Sequence, residues 1–143
     1  RAGNFENGSI TSIISVLLEG DDLQDPIGDA VRGILDGHVV LDRELANRGH
    51  YPAVSVNDSI SRWMNSIVDE DHTTLANKAR EMISEYKNAE DLINVGAYVS
   101  GSNPTIDQAI ATRPQLNDFL TQKVAESSSH EENLETLRGL FPS

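Results

Sequence analysis

The sequence predicts an α/β segment followed by an all-helical segment, and three observations carry that prediction. Residues 9–18 form an apolar run rich in β-branched residues, which reads as a strand buried on both faces, the kind found in parallel sheets. Strand and helix signals then alternate as far as Arg62. Beyond Arg62 the apolar residues recur only at helical spacing, and no good strand candidate remains.

The elements follow in order. A turn-rich lead, with Gly3, Asn4, Asn7 and Gly8, precedes the first strand. An acidic stretch at 20–25 leads to Pro26, whose fixed φ and missing N–H suit the first position of a helix, expected over 26–35 and stopped by Asp36 and Gly37. Residues 38–41 read as a second short strand. Asp42 reads as the N-cap of a helix that reaches Arg48 and is closed by Gly49. Residues 52–56 are a third strand candidate, and the alternation of strand and helix implies a parallel sheet. From 71 to 87, Leu75, Ala79, Met82, Ile83 and Tyr86 mark the apolar face of a helix. Shorter helices are expected at 89–95, 104–112 and 114–124, with a final one at 131–140 after a polar, serine-rich stretch. The boundary between the two segments falls at about residue 65, giving residues 1–65 and 66–143.

Charge narrows the partners. Eleven basic against twenty-three acidic residues give a net charge of -12, which repels a phosphate backbone, so nucleic acid is not expected as a partner. An anionic membrane surface is disfavoured for the same reason, and the apolar run at 13–18 is far too short to span a bilayer. A soluble protein, peripheral to a membrane at most, is the expectation. The absence of cysteine agrees with a reducing compartment. The opening residues lack the features of a secretory signal and begin without methionine, as expected of a piece of a larger protein.

Few residues point to chemistry. The four histidines, at 38, 50, 72 and 130, are too scattered for a metal-ligand spacing, so no metal site is expected. No GxxxxGK[ST] phosphate loop occurs, and neither Ser59 nor Ser61 has a nearby histidine to activate it. Asp21, Asp22 and Asp25 form an acidic cluster whose plainest role is a solvated cap before Pro26. Tyr51, held extended before Pro52, offers a flat ring for a base, and Arg62 offers a guanidinium for a phosphate. Taken alone, a tyrosine packed beside a turn and an arginine in an ordinary ion pair are the preferred readings.

A resemblance changes that balance. Residues 8–122 carry GSITS, then EGDDLQDPIGDAVRGILDGHVVLDRELANRGHYPAV, then SISR and EDLINVGAY. This long, nearly gapless pattern resembles the C-terminal part of the flagellum-specific ATP synthases, the ATPases of flagellar type III export. Rotary ATP synthase catalytic subunits share the GSIT, DDLxDP, YPAV and SxSR elements, whereas VRGILDGH and EDLINVGAY look like the export family. The resemblance implies the C-terminal part of a RecA-like parallel-sheet nucleotide-binding domain followed by a helical C-terminal domain. It also implies a homohexameric ring with active sites at subunit boundaries, using ATP and Mg2+ in the full-length parent, with neither bound tightly by this segment.

Residue by residue, Tyr51 matches the tyrosine that packs on adenine, and Phe119 in DFLTQ matches a phenylalanine lining the same pocket in the rotary relatives. A second nearby aromatic of those relatives is missing, because this chain continues KVAE. Arg62 matches the arginine finger that reaches the γ-phosphate of the neighbouring subunit. Asp22, Gln24 and Asp25, in the DDLQDP turn, match the loop that faces a central shaft, where acidity suits a basic coiled-coil stalk protein. The Walker A lysine, magnesium ligands and water-activating glutamate are absent from this segment, so no ATP hydrolysis by it alone is expected. Export chaperones, export substrates and the export gate are further implied partners, at the cytoplasmic base of the flagellar export apparatus. Two alternatives remain: a helical interaction module without catalytic duty, or a subunit of a rotary ATP synthase. Truncation of the larger sheet would leave the 9–18 strand with an unpaired edge that invites a second copy.

Overall fold

The computed structural model of the chain describes residues 2–18 and 25–142, which fall into two units, Arg1–Leu35 and Asp36–Ser143. In the first unit, strands β1 (Gly3–Phe5) and β2 (Gly8–Ile10) form an antiparallel hairpin with Gly3 opposite Ile10 and Phe5 opposite Gly8. Helix α1 (Pro26–Ile34) begins as expected, with Pro26 in its first turn and Asp25 accepting hydrogen bonds from the Ile27 and Gly28 N–H groups at 3.0 Å. Gly28 is buried under the Leu18 side chain, and a Cβ there would lie 2.9 Å from Leu18 Cδ2.

The expectation of a buried strand over 9–18 is corrected. Only its first two residues belong to a strand, residues 11–18 have no regular secondary structure, and Ile13 and Leu17 are 97% and 98% exposed. A strand buried on both faces needs neighbours on both edges and cover above and below. Among the described residues, the run has one strand neighbour, β1, and only as far as Ile10.

The second unit opens with β3 (Gly37–Leu41), α2 (Arg43–Asn47) and β4 (Val54–Ser61). β3 and β4 pair antiparallel, so the parallel ladder expected from the strand and helix order does not occur among the described strands. The register jumps from His38 opposite Ile60 to Val40 opposite Ser55, which makes β4 arch over the intervening residues. Side chains close the gap: the Val40 N–H donates to Ser59 Oγ at 3.0 Å, and the Ser59 hydroxyl donates to the Ser55 carbonyl at 2.6 Å. Gly37 is required where the strands cross, because a Cβ would sit 2.6 Å from the Ile60 carbonyl oxygen.

The rest is helical, as expected. After the short α3 (Met64–Ile67) come α4 (Glu70–Asn94), α5 (Pro104–Leu120) and α6 (His130–Leu140). Leu75, Ala79 and Met82 of α4, Ala109 and Leu116 of α5, and Leu137 of α6 form the core, with Tyr86, Phe119 and Phe141 packed around it. The helices expected at 71–87 and 89–95 are one, because buried Ala89 continues the face begun by Leu75. Those expected at 104–112 and 114–124 are also one. Exposed Pro114 lies inside α5, flanked by buried Thr112 and Leu116, whose packing holds the helix through it. Gly96, at φ 71°, ends α4, with the Gly96 N–H bonded to the Ile93 carbonyl and the Ala97 N–H to the Leu92 carbonyl.

Candidate functional site

Tyr51 is placed by the end of α2. Gly49 adopts φ 75°, its N–H bonds the Ala46 carbonyl at 3.0 Å, and the His50 N–H bonds the Leu45 carbonyl at 2.9 Å. This left-handed cap turns the chain sharply, which glycine alone does without strain. Tyr51 then projects with 57% of its surface exposed, and the Tyr51–Pro52 peptide is cis. Its carbonyl accepts the Gln122 N–H at 2.8 Å. That bond ties the tyrosine turn to the chain just past α5, the helix that carries Phe119. Phe119 itself is half-buried against the helical core.

Arg62 lies at the opposite end of β4, immediately before α3, and is exposed. Asp36 holds its backbone N–H and the side chain that follows it. The Arg62 N–H donates to the Asp36 carbonyl at 2.9 Å, and the Trp63 indole Nε1–H donates to Asp36 Oδ1 at 3.1 Å. Arg62 therefore sits at a pinned strand end. Of the three residues expected to face a partner, Asp25 caps α1, whereas Asp22 and Gln24 lie outside the described residues.

A cleft of about 100 Å3, marked by no local sequence pattern, separates α2 and β4 from α4 and α5. Arg48 crosses it to Glu90 at 2.8 Å, and Arg113 lies 4.6 Å over the Tyr86 ring, a cation–π contact. His50 and Arg113 both line it. Partners as far apart in sequence as Arg48 and Glu90 leave no periodic signal, so only the fold brings them together. Among the described residues, no three His, Asp or Glu side chains converge to hold a metal ion.

Burial lowers the His50 pKa below the ordinary 6.5, and the nearby Arg113 charge lowers it further. A base whose folded pKa is depressed binds fewer protons folded than unfolded, so its destabilising effect is absent well above 6.5 and grows as pH falls through that value. Thermal melts of the chain from about pH 7.5 down to about pH 5.5 should therefore lose stability in part through His50, and His50→Gln should flatten that slope. An identical slope in the variant contradicts this assignment.

The sequence and the fold match known proteins. Residues 1–61 match the nucleotide-binding domain of the ATP synthase alpha/beta family, and residues 68–139 match the T3SS EscN ATPase C-terminal domain. The class is thus an ATPase-family nucleotide-binding part followed by a helical C-terminal domain. The chain belongs to the family of the T3SS EscN ATPase C-terminal domain, whose model covers half of it. The flagellum-specific ATP synthase of Bacillus subtilis is 53% identical over 140 residues, which cover 98% of this chain and 32% of that protein. The assembled ATPase EscN from the enteropathogenic E. coli type III secretion system superposes with a TM-score of 0.94 at 45% identity, over 98% of this chain and 34% of EscN. EscN in complex with its central stalk EscO gives a TM-score of 0.88 at 43% identity, over 98% of this chain and 33% of EscN. The chain spans about a third of the length of these relatives. No helix among the described residues is long and apolar enough to cross a membrane.

Proposed function

We propose that this chain is the C-terminal part of an ATPase that hydrolyses ATP to support flagellar type III protein export, and that it supplies the adenine-side wall and a trans arginine finger. The observation that carries the reading is Arg62, exposed just past the end of β4, with its backbone N–H and the neighbouring Trp63 indole both bonded to Asp36. A finger must reach out of its own subunit and hold a fixed direction, and a pinned, solvent-facing strand end supports both requirements. Tyr51, more than half exposed and tied through Gln122 to the end of α5, serves as the adenine platform, with Phe119 on the helical side. The division into residues 1–65 and 66–143 is supported by the two family matches, which end at 61 and begin at 68.

In the full-length parent, ATP and Mg2+ are held by the part of the protein that carries the phosphate loop. The chain's own residues orient the base and stabilise charge on the phosphate bound by the neighbouring subunit of a homohexamer. The relative solved with its central stalk supports a stalk protein as partner, and a coiled-coil stalk would be met in part by Asp22, Gln24 and Asp25. Chaperones, export substrates and the export gate complete the partner set, at the cytoplasmic base of the export apparatus.

Tyr51 gives a direct test. Tyr51→Ala in the full-length ATPase should weaken ATP binding by about 1–3 kcal/mol, the usual worth of stacking one base on an aromatic ring. Tyr51→Phe should bind like the parent in the same fluorescence titration. Equal affinity in all three proteins counts against the adenine platform.

The second reading, a helical docking module without catalytic duty, is favoured by the same stalk-bound relative. Titrating the chain separately with a coiled-coil stalk protein and with ATP distinguishes the two for this segment.

A further inference from the structure

We propose that His72 and His130 form a two-imidazole site for a divalent transition-metal ion of the zinc class, joining the start of α6 to the start of α4. These histidines are separated in sequence by almost all of α4 and the whole of α5, yet their ring centroids lie 5.4 Å apart. Two imidazoles bound at about 2.1 Å to one tetrahedral ion have ring centres roughly 5 Å apart, so the spacing is close to that of a bidentate site. The rings are inclined at 47°, neither stacked nor perpendicular as ring packing alone prefers.

The backbone positions of both residues are set without help from a metal. The His72 N–H donates to the N-cap Asp69 Oδ1 at 2.7 Å. His130 opens α6 inside a capping box in which Ser129 and Glu132 bond each other's N–H groups at 2.7 and 3.2 Å. Arg138 clamps α6 to α4 independently, through Asp71 Oδ2 at 2.7 Å. A bidentate site held this way loses little freedom on binding. Acidic side chains in the two first turns, Glu70 on α4 and Glu131 and Glu132 on α6, supply a negative surrounding for a cation. His130 is exposed and His72 half-buried, so an ion reaches them from solvent. With two protein donors and water at the remaining positions, the site is weaker than a closed structural zinc centre and selects imidazole-loving ions over Mg2+.

Isothermal titration of the full chain with zinc chloride tests the site. One saturable binding event is expected, and His72→Ala and His130→Ala should each weaken it by about a hundredfold, the gain from joining two donors. Zinc should raise the Tm of the parent chain and of neither variant, and Mg2+ should do nothing. Because a substitution can disturb folding, histidine ring NMR signals of the unmutated chain are followed in the same titration. Zinc should move the signals of His72 and His130 together and leave those of His38 and His50 in place. Undiminished binding in either variant assigns the ion to carboxylates and overturns the site. So does movement of the other pair of signals, or the absence of saturable binding.

Discussion

Replacing Arg62 by alanine in the full-length ATPase is expected to lower ring-stimulated turnover by about a thousandfold to a hundred-thousandfold, the range attributed to arginine fingers. ATP binding should stay nearly intact, because a finger in trans would act on phosphate held by a neighbouring subunit and not on the nucleotide of its own. The size of the effect follows from charge. Phosphoryl transfer spreads negative charge over the phosphate oxygens, and a planar guanidinium offers two parallel donors where that charge develops. Arg62→Lys keeps the charge and loses the fork, so it should fall much closer to the alanine variant than to the parent. The anchorage by Asp36 adds to the effect of the cation. Its carbonyl and carboxylate hold the backbone of Arg62 and the ring of Trp63, and a finger misplaced by about 1 Å commonly costs a hundredfold. Steady-state hydrolysis at protein concentrations that saturate assembly is the measurement, and unchanged turnover removes Arg62 from the mechanism.

The largest stability effect is expected in the helical core. Leu116 is 1% exposed on α5, in the same cluster as Met82 of α4, also 1% exposed. Leu116→Ala removes buried methyl groups and leaves a cavity among side chains that relax only in part, at a cost of about 2–5 kcal/mol. Val124, fully exposed beyond α5, is the control, and Val124→Ala should change stability by less than about 0.5 kcal/mol. Denaturant unfolding of the chain followed by helical circular dichroism measures both. A small change at Leu116 would mean that the helices do not pack around it as described.

Local signals were legible and long-range ones were not. Pro26 after Asp25, the Gly49 stop and the Leu75, Ala79, Met82 face all act within a few residues, so the sequence alone places α1, α2 and the first half of α4. Helix ends were harder. Pro114 reads locally as a break, yet burial of residues on both sides of it keeps α5 continuous. Strand pairing failed for a related reason, since the arch of β4 over β3 depends on Ser59 filling a gap some twenty residues from Val40. For the run at 9–18, its apolar character suited a covered strand, but whether a strand forms depends on neighbours that no local pattern reveals. At the site, Tyr51 and Arg62 stand out by residue type, and the resemblance gave them roles. Their anchors, Gln122 and Asp36, come only from the fold, as do the pairing of His72 with His130 and the contact of Arg113 with Tyr86.

The central claim is that Arg62 completes an active site belonging to another subunit, and mixing two inactive full-length variants tests it most directly. One carries Arg62→Ala with an intact phosphate loop, and the other carries Arg62 with the phosphate-loop lysine replaced. Random assembly into rings gives roughly a quarter of the seams an intact loop facing an intact finger. The account predicts that the mixture recovers hydrolysis that neither variant shows alone; a mixture as inactive as its separate components would contradict it.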